Sequence, residues 1–384
     1  MKTKDFKFGK PVLPPYFVNR EEELNNLYNL TASIKEGGEK NVALIGLRRT
    51  GKTSLLKNLE DKLKRDREII PVFIDCYGIP SKTTFAKIVL ERVRESYIVN
   101  AGDRSYGKKL SEFMKKKTSE WLAKISSVDV SIANYLSIKM AFKEGTSEDI
   151  WIRALEYPEN LGNEKDVYFI IMLDEFPDIA MRWKEDFIKR LRSVIQHQKK
   201  VAYILSGSAV SFMAELVKDR DSPFYRQLVP VRVEELPEKV ARTYISERLN
   251  IGGKALDEYI KLTGSFPDYI QRLGHILVER GAKRKISVRD VKESYNEMIW
   301  ELDIEFSSTL RMLNNMSGIY GDILLAIAKN NTLSKIAEEI GVDASYLSRY
   351  LNYLIQIGLI RRVGRGKYKQ TDPVFRDWVI SRFL

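Results

Sequence analysis

Uninterrupted apolar runs recur along the first 240 residues: NVALI around residues 41–45, EIIPVFIDC ending at Cys76, VYFIIMLDEF at 167–176 and VAYILSGSAVSFM from residue 201. Short runs of this kind mark strands buried on both faces of a parallel sheet. The segments between them place leucine, isoleucine and valine at helical spacing, as in TFAKIVLERVRESYI and DFIKRLRSVIQHQ. Strand and helix alternating in this way predict an α/β protein with a doubly wound parallel sheet. Ahead of the first strand, FVNREEELNNLYNL reads as a helix with Asn19 as its cap and acids in its first turn. Residues 1–16 are basic and proline-containing and read as an extended arm.

An insertion runs from about 100 to 163. In it GKKLSEFMKKKTSEWLAKI sets Leu110, Phe113, Met114, Trp121 and Ile125 at helical spacing with lysines opposite, a row that suits either solvent or DNA. VDVSIANYLSIKMAF alternates apolar and polar about an Ala-Asn-Tyr turn and predicts a β-hairpin. From about 237 to 310 the pattern is helical, broken at TGSFPDYI and GAKRKIS, and predicts a small helical lid.

The C-terminal pattern is different again. NTLSKIAEEIGVDASYLSRYLNYLIQIGLIRRVGRGKYKQTD reads as helix, tight turn at Gly341, second helix, then two short strands about Gly364 and Gly366. Leu333, Ile336, Ala337, Ile340, Val342, Leu347, Leu351, Leu354 and Leu359 carry the core spacing, which leaves Ser345, Tyr346, Ser348, Arg349 and Asn352 facing outward. This is the pattern of a winged helix-turn-helix, whose exposed helix fits a major groove. Arg361, Arg362, Arg365, Lys367 and Lys369 on the wing, with no acid among them, suit phosphate contacts with double-stranded DNA. A winged helix used for protein contacts fits the same residues. The expected division is therefore a core over 1–236 with its insertion, a lid over 237–312 and a winged helix over 313–384.

Chemistry enters at GLRRTGKTS, residues 46–54, between the first strand and a helix. Gly46, four residues, Gly51, Lys52 and Thr53 have the spacing and the context of a phosphate loop. Glycines let backbone amides bend round an anion, and the following helix adds its positive end. The candidate nucleotide ligands are Gly46, Arg48, Arg49, Thr50, Gly51, Lys52, Thr53 and Ser54, with Lys52 on the β- and γ-phosphates and Thr53 on Mg²⁺. Asp174 and Glu175 end an apolar strand, the edge at which ligands bind open parallel sheets. That is a Walker B reading, in which Asp174 completes the Mg²⁺ shell with Thr53 and Glu175 is the base for the attacking water. Ser206 and Ser208 reach the same edge from the next strand, and Ser208 is preferred as a contact to the γ-phosphate or the water.

Composition narrows the rest. The 384 residues carry 64 basic and 52 acidic side chains, a net charge of +12, which suits an acidic partner such as nucleic acid and equally a mixed charged surface on a heat-adapted protein. One cysteine, Cys76, excludes internal disulfides and Cys-rich zinc sites, and its apolar setting makes it a structural thiol. His197 and His275 lie in no ligand-spaced cluster. With no long apolar segment or signal peptide, a cytoplasmic protein with no membrane partner is expected.

Taken together and in order, FVNREEEL, GLRRTGKTS, FIIMLDEF, LSGSAVSFM, SPFYR and TGSFPDYI resemble the predominantly archaeal P-loop ATPases of the AAA+/STAND lineage, over nearly the whole chain. That resemblance implies ATP/ADP and Mg²⁺ as cofactors. It places Val18 and Arg20 near the adenine and Pro267 of the lid against base or ribose. Ser265 stands where the family pattern usually has a second glycine. Arg226 falls where AAA+ proteins commonly carry an arginine aimed at a neighbouring subunit's γ-phosphate, and a structural salt bridge is its alternative. The implied function is an ATP-hydrolysing switch that couples nucleotide state to DNA. The alternatives are a slow, ADP-holding signalling ATPase with a protein partner and a motor-like homo-oligomer.

Overall fold

The structure, a computed structural model, describes residues 6–38, 41–102, 108, 134, 135, 137–139, 141, 142, 149–281 and 284–383. In chain order the first part contains α1 (Glu21–Ala32), β1 (Asn41–Ile45), α2 (Lys52–Leu63), β2 (Ile69–Asp75), α3 (Lys82–Asn100), α4 (Ile150–Lys165), β3 (Tyr168–Asp174), α5 (Phe176–Ile195), β4 (Val201–Gly207), α6 (Val210–Lys218) and β5 (Leu228–Arg232). The strands form one parallel sheet in the order β2-β3-β4-β1-β5. Side chains alternate across it. Val42, Leu44, Ile170, Met172 and Ile204 join Leu27, Leu55 and Leu59 of α1 and α2 on one face. Ala43, Ile45, Ile171, Leu173 and Leu205 join Phe85, Trp151, Phe187 and Met213 of α3 to α6 on the other. Burial on both faces is why these strands lack polar alternation.

The sheet order places β4 between β1 and β3. The end of β1 therefore lies beside the serine-bearing end of β4, with Leu44 opposite Ser206 and Ile45 opposite Gly207. On the far side of β3, Asp174 lies opposite Asp75.

Next come α7 (Glu238–Arg248), α8 (Lys254–Thr263), α9 (Pro267–Glu279), α10 (Val288–Glu301), α11 (Asp303–Met316), α12 (Ile319–Lys329), α13 (Leu333–Ile340), α14 (Ala344–Gln356), the antiparallel pair β6 (Ile360–Gly364) and β7 (Lys367–Gln370), and α15 (Pro373–Phe383). One apolar cluster runs through all of these helices, from Leu236 to Val379. Phe306 of α11 meets Phe375 at 5.2 Å and Trp378 at 5.6 Å, and Trp378 Nε1 donates to Asp303 Oδ1 at 2.9 Å, so the C-terminal helix is stitched to α11.

Gly341, at φ +76°, closes the turn between α13 and α14, and Ile336, Ala337, Leu347, Leu351 and Leu354 are buried. Leu333, Ile340, Val342 and Leu359 pack partly buried against the same cluster.

Two expectations are corrected. The described residues of the stretch expected as a hairpin, 134, 135, 137–139, 141 and 142, are helical. Tyr135 and Ile138 are fully buried and Ala141 nearly so, a three-residue spacing that turns one helical face inward. Tyr135 also packs 5.8 Å from Tyr157 of α4 and donates to Glu91 of α3 at 2.8 Å, contacts that an alternating pattern hides. Arg20, not Asn19, occupies the cap position of α1, because Asn19 turns the chain at φ +54° one residue earlier. The basic arm forms no helix or strand over its described residues 6–16 and packs on the rest of the chain. Phe6 is buried against Gly274 of α9 and meets Tyr244 at 6.1 Å, while Val12 N donates to Ser54 Oγ at 3.0 Å. The lysine-faced helix expected over 107–125 lies, apart from Lys108, outside the described residues.

Candidate nucleotide site

The chain leaves β1 at Gly46, where a Cβ would lie 2.2 Å from the Val233 carbonyl oxygen, so only glycine lets the loop leave the sheet beside β5. Thr50 Oγ1 donates to Leu47 O at 2.9 Å and closes the loop, and Gly51, at φ +95°, turns it into α2. Lys52, the first residue of α2, is buried, and its Nζ donates to Leu47 O at 2.9 Å. Burial lowers its pKa, against the pull of Glu175 and Asp174. A buried ammonium held beside a ring of backbone at a helix start is a receptor for phosphate oxygens.

Asp174 is the point of convergence. Thr53 Oγ1 donates to its Oδ2 at 2.6 Å and Ser206 Oγ to its Oδ1 at 2.7 Å. Burial raises the Asp174 pKa, and the two hydroxyls pull it back. Glu175 follows in the left-handed region, at φ +48°, which lifts its carboxylate off the strand. Ser208 Oγ donates to Glu175 Oε2 at 2.8 Å. Thr53 with Asp174 is the hard oxygen pair that suits Mg²⁺, an ion that leaves most of its shell to water and phosphate. Among the described residues no group of three or more His, Cys, Asp or Glu stands ready to hold a metal alone.

Lys52, Thr53, Asp174 and Glu175 open into a cavity of about 710 Å³ between the sheet edge and α9, α11 and the arm, whereas Ser208 lines a separate pocket with Arg49, Glu305 and Asp372. The cavity's volume suits a nucleotide. Val18, Arg48, Ser54 and Pro267 line the cavity. Arg20 also lines it, but its buried guanidinium donates to Thr50 O at 3.3 Å and to Glu234 O and pairs with Glu23 at 2.6 Å, which ties α1 to the loop. Ser265 adopts φ +60°, next to Gly264 at φ +57°, so the serine takes the backbone turn a glycine would. Arg49 pairs with Asp268 and Glu305. Arg226 is exposed, outside the cavity, with its guanidinium 5.1 Å from the Tyr225 ring, and among the described residues it makes no ion pair. The salt bridge offered as its alternative is therefore not seen.

None of the residues assigned to DNA lines this cavity. Ser345, Tyr346, Ser348, Arg349 and Asn352 are all exposed on α14, and Arg361, Arg362, Arg365, Lys367 and Lys369 are all exposed on the β6–β7 pair.

Sequence reasoning passed over the arm. Lys7, Phe8, Gly9, Lys10, Pro11 and Val12 line the cavity, and Lys7 N donates to Gln271 Oε1 of α9 at 2.9 Å. Two phenylalanines in a basic leader were the available signal, since a solvated arm has no use for them.

A parallel sheet with a phosphate loop after β1 and carboxylates after β3 defines a P-loop ATPase fold. Residues 17–273 match the family described as an ATPase domain predominantly from Archaea, and the chain belongs to that family. Over 389 aligned residues, 95% of this chain and 89% of its relative, it is 21% identical to an uncharacterized HTH-type transcriptional regulator of Methanocaldococcus jannaschii. Among solved structures it is similar to the Walker-type ATPase PABY2304 of Pyrococcus abyssi, at 20% identity and TM-score 0.65 over 94% of this chain and 96% of that one. The ORC2 protein of Aeropyrum pernix, solved with ADPNP and ADP, gives 12% identity and TM-score 0.58 over 98% and 96%. The ORC1 protein of the same organism, solved in complex with DNA, gives 16% and 0.50 over the same shares.

Proposed function

We propose that the chain is a Mg²⁺-dependent ATPase that works as a switch, coupling nucleotide state to duplex DNA through a C-terminal winged helix. Lys52 and the loop amides bind the phosphates. Thr53 and Asp174 hold Mg²⁺, which when bound offsets phosphate charge. Glu175, steadied by Ser208, accepts the proton of the attacking water. Val18 and Pro267 border the base, and the arm covers it.

The observation that carries the coupling is a single contact. Gly358, at the end of α14, has φ +77°, and a Cβ on it would lie 2.8 Å from the Ser208 carbonyl oxygen. The unit with the exposed basic face thus rests on the end of β4, where Ser208 donates to the proposed base, Glu175, at the end of the neighbouring β3. An ORC1 structure solved with DNA and a relative named as a transcriptional regulator support DNA as the partner. A protein partner is the second reading, favoured by Tyr346 and Val363, exposed apolar side chains on the same surface.

Fluorescence anisotropy with duplex DNA across a salt series tests the proposal. Three phosphate contacts at about 0.9 each mean that alanine at Arg361, Arg362 and Arg365 should flatten the log–log salt slope by up to about 2.7. Trapping ATP with Glu175→Gln should change DNA affinity relative to ADP, while hydrolysis falls by roughly 10²–10⁴-fold. An unchanged slope moves the partner elsewhere. A Glu175→Gln enzyme that turns over normally removes the base.

A further inference from the structure

Arg49 belongs to the phosphate loop, yet its guanidinium is committed to carboxylates from three other places. Nη1 donates to Asp268 Oδ2 of α9 at 2.5 Å, Nη2 lies 2.6 Å from Glu305 Oε1 of α11, and Nε lies 3.9 Å from Asp372 Oδ2, just ahead of α15. The group also sits 4.9 Å over the Tyr269 ring and 5.7 Å from that of Phe306. Tyr269 OH donates to Asp372, and Asp372 Oδ1 accepts from Val374 N at 2.9 Å and Phe375 N at 3.0 Å, which fixes the carboxylate to the first turn of α15. Arg272 shares Asp268 at 2.9 Å.

The side chain is 10% exposed, and its backbone stands at φ +68°. A non-glycine residue keeps that conformation only where its surroundings enforce it. The guanidinium is held by one hydrogen bond, from Nη1, and otherwise by ion-pair and ring contacts to the lid and the Asp372 segment, while Nη2 is buried and makes no hydrogen bond among the described residues. A second contact lies close by. Thr371 Oγ1 donates to Gly358 O at 2.6 Å, so residues 371 and 372 join the Arg49 cluster to the turn that rests on Ser208.

We infer that Arg49 is a positioning residue and not a phosphate ligand. It clamps α9 of the lid and the segment headed by Asp372 onto the phosphate loop, so that loop shape and the seating of the C-terminal unit are set together. The inference rests on the proposed nucleotide site and is independent of whether DNA is the partner.

Hydrogen–deuterium exchange of the full chain, without nucleotide and with ATP and MgCl₂, tests it beside ATP affinity by calorimetry. The proteins are wild type, Arg49→Ala, Arg49→Lys and Asp372→Asn. Arg49→Ala should speed exchange in residues 357–372 by up to about 5-fold, the scale of one lost ion pair, without nucleotide as well as with it. Arg49→Lys, with one point charge in place of the fork, should fall between wild type and alanine. Asp372→Asn keeps a capping oxygen but loses the charge, and should speed exchange in the same segment by less.

A 10-fold loss of ATP affinity in Arg49→Ala with exchange at 357–372 unchanged makes Arg49 a phosphate ligand and overturns the inference. Unchanged exchange in both Arg49→Ala and Asp372→Asn overturns it as well. If Arg49→Ala does not fold, Arg49→Lys and Asp372→Asn decide by the same criteria. Wild type that binds no ATP sinks the nucleotide site instead, and the exchange measured without nucleotide still tests the clamp.

Discussion

Ser206→Ala removes a single hydroxyl from the innermost position of the site. Ser206 is fully buried and donates to Asp174 Oδ1 at 2.7 Å, while Thr53 holds Oδ2 at 2.6 Å. Burial pushes the Asp174 carboxyl up from its ordinary value, and the two hydroxyls favour the charged form. Loss of one of them therefore raises the pKa further. A hydrogen bond to a charged group is worth about 1.5–3 kcal/mol. At about 1.4 kcal/mol per decade this is roughly a 10–100-fold loss of Mg²⁺ affinity, the same range expected when a partner behind a metal ligand is removed. Titrating Mg²⁺ into the ATPase reaction, and into ATP binding followed by calorimetry, should show that shift, with most of kcat recovered at saturating Mg²⁺. The requirement should steepen as pH falls, because a raised carboxyl is protonated earlier on the way down. A Ser206→Ala protein with wild-type Mg²⁺ dependence would mean that Asp174 is not the metal's carboxylate.

Gly46→Ala brings a Cβ to 2.2 Å from Val233 O, an atom pinned because Val233 N donates to Ile45 O at 2.8 Å. The strain, about 1–3 kcal/mol, should appear as weaker ATP binding by calorimetry with an unchanged circular dichroism spectrum, and normal affinity would contradict the loop geometry. Ser287 and Asp290 form a reciprocal capping box at the start of α10, so Ser287→Ala should cost about 1 kcal/mol in denaturant unfolding. The Ser287 hydroxyl and amide hold the Asp290 carboxyl below its ordinary value of 3.8, so this contribution is present at neutral pH and is lost as pH falls through the depressed value, and the gap between the proteins should narrow there. Arg226, exposed and outside the cavity, is expected to act on a neighbouring copy. Arg226→Ala mixed with Lys52→Ala should then recover ATPase activity, and no recovery in a mixture that demonstrably associates excludes that role.

How far the sequence can be read depends on whether a pattern is local. The phosphate loop and the carboxylates after β3 were legible because each is a short run whose residue types are dictated by one strand end. The core spacing of α13 and α14 was legible because each helix turns one stripe inward. Asp372 was not, since nothing near it announces that it will meet Arg49 more than 300 residues away in the chain. The hairpin misreading has the same origin. Val128, Val130, Ile132, Leu136 and Ile138 alternate convincingly, but Tyr135, Ile138 and Ala141 are buried at helical spacing, with Tyr135 against α3 and α4, and tertiary burial decided for helix. The arm was legible as an extended segment, but where it packs was not: Phe6 is buried against α9 and Phe8 lies 5.0 Å from His275 of the same helix, partners that no local pattern announces.

Whether such a site can drive a switch is a question of magnitude. Moving a two-state equilibrium from 1:99 to 99:1 takes about 5.5 kcal/mol of differential binding. ATP differs from ADP by one phosphoryl group. In the proposed site that group lies among Lys52, the loop amides and the Mg²⁺ pair, and each charge-assisted hydrogen bond it gains there is worth about 1.5–3 kcal/mol. Two or three such bonds supply the energy, provided they exist in one seating of the C-terminal unit and not in the other. Ser208 links the proposed base to that seating by position. Its hydroxyl donates to Glu175, and its carbonyl oxygen lies against Gly358, so a backbone shift that re-aims the hydroxyl also moves the floor under α14. A side chain in place of Gly358 would break the link, because φ +77° and a 2.8 Å approach both demand glycine. Coupling through so short a path needs no long network, only two rigid elements meeting at one strand end.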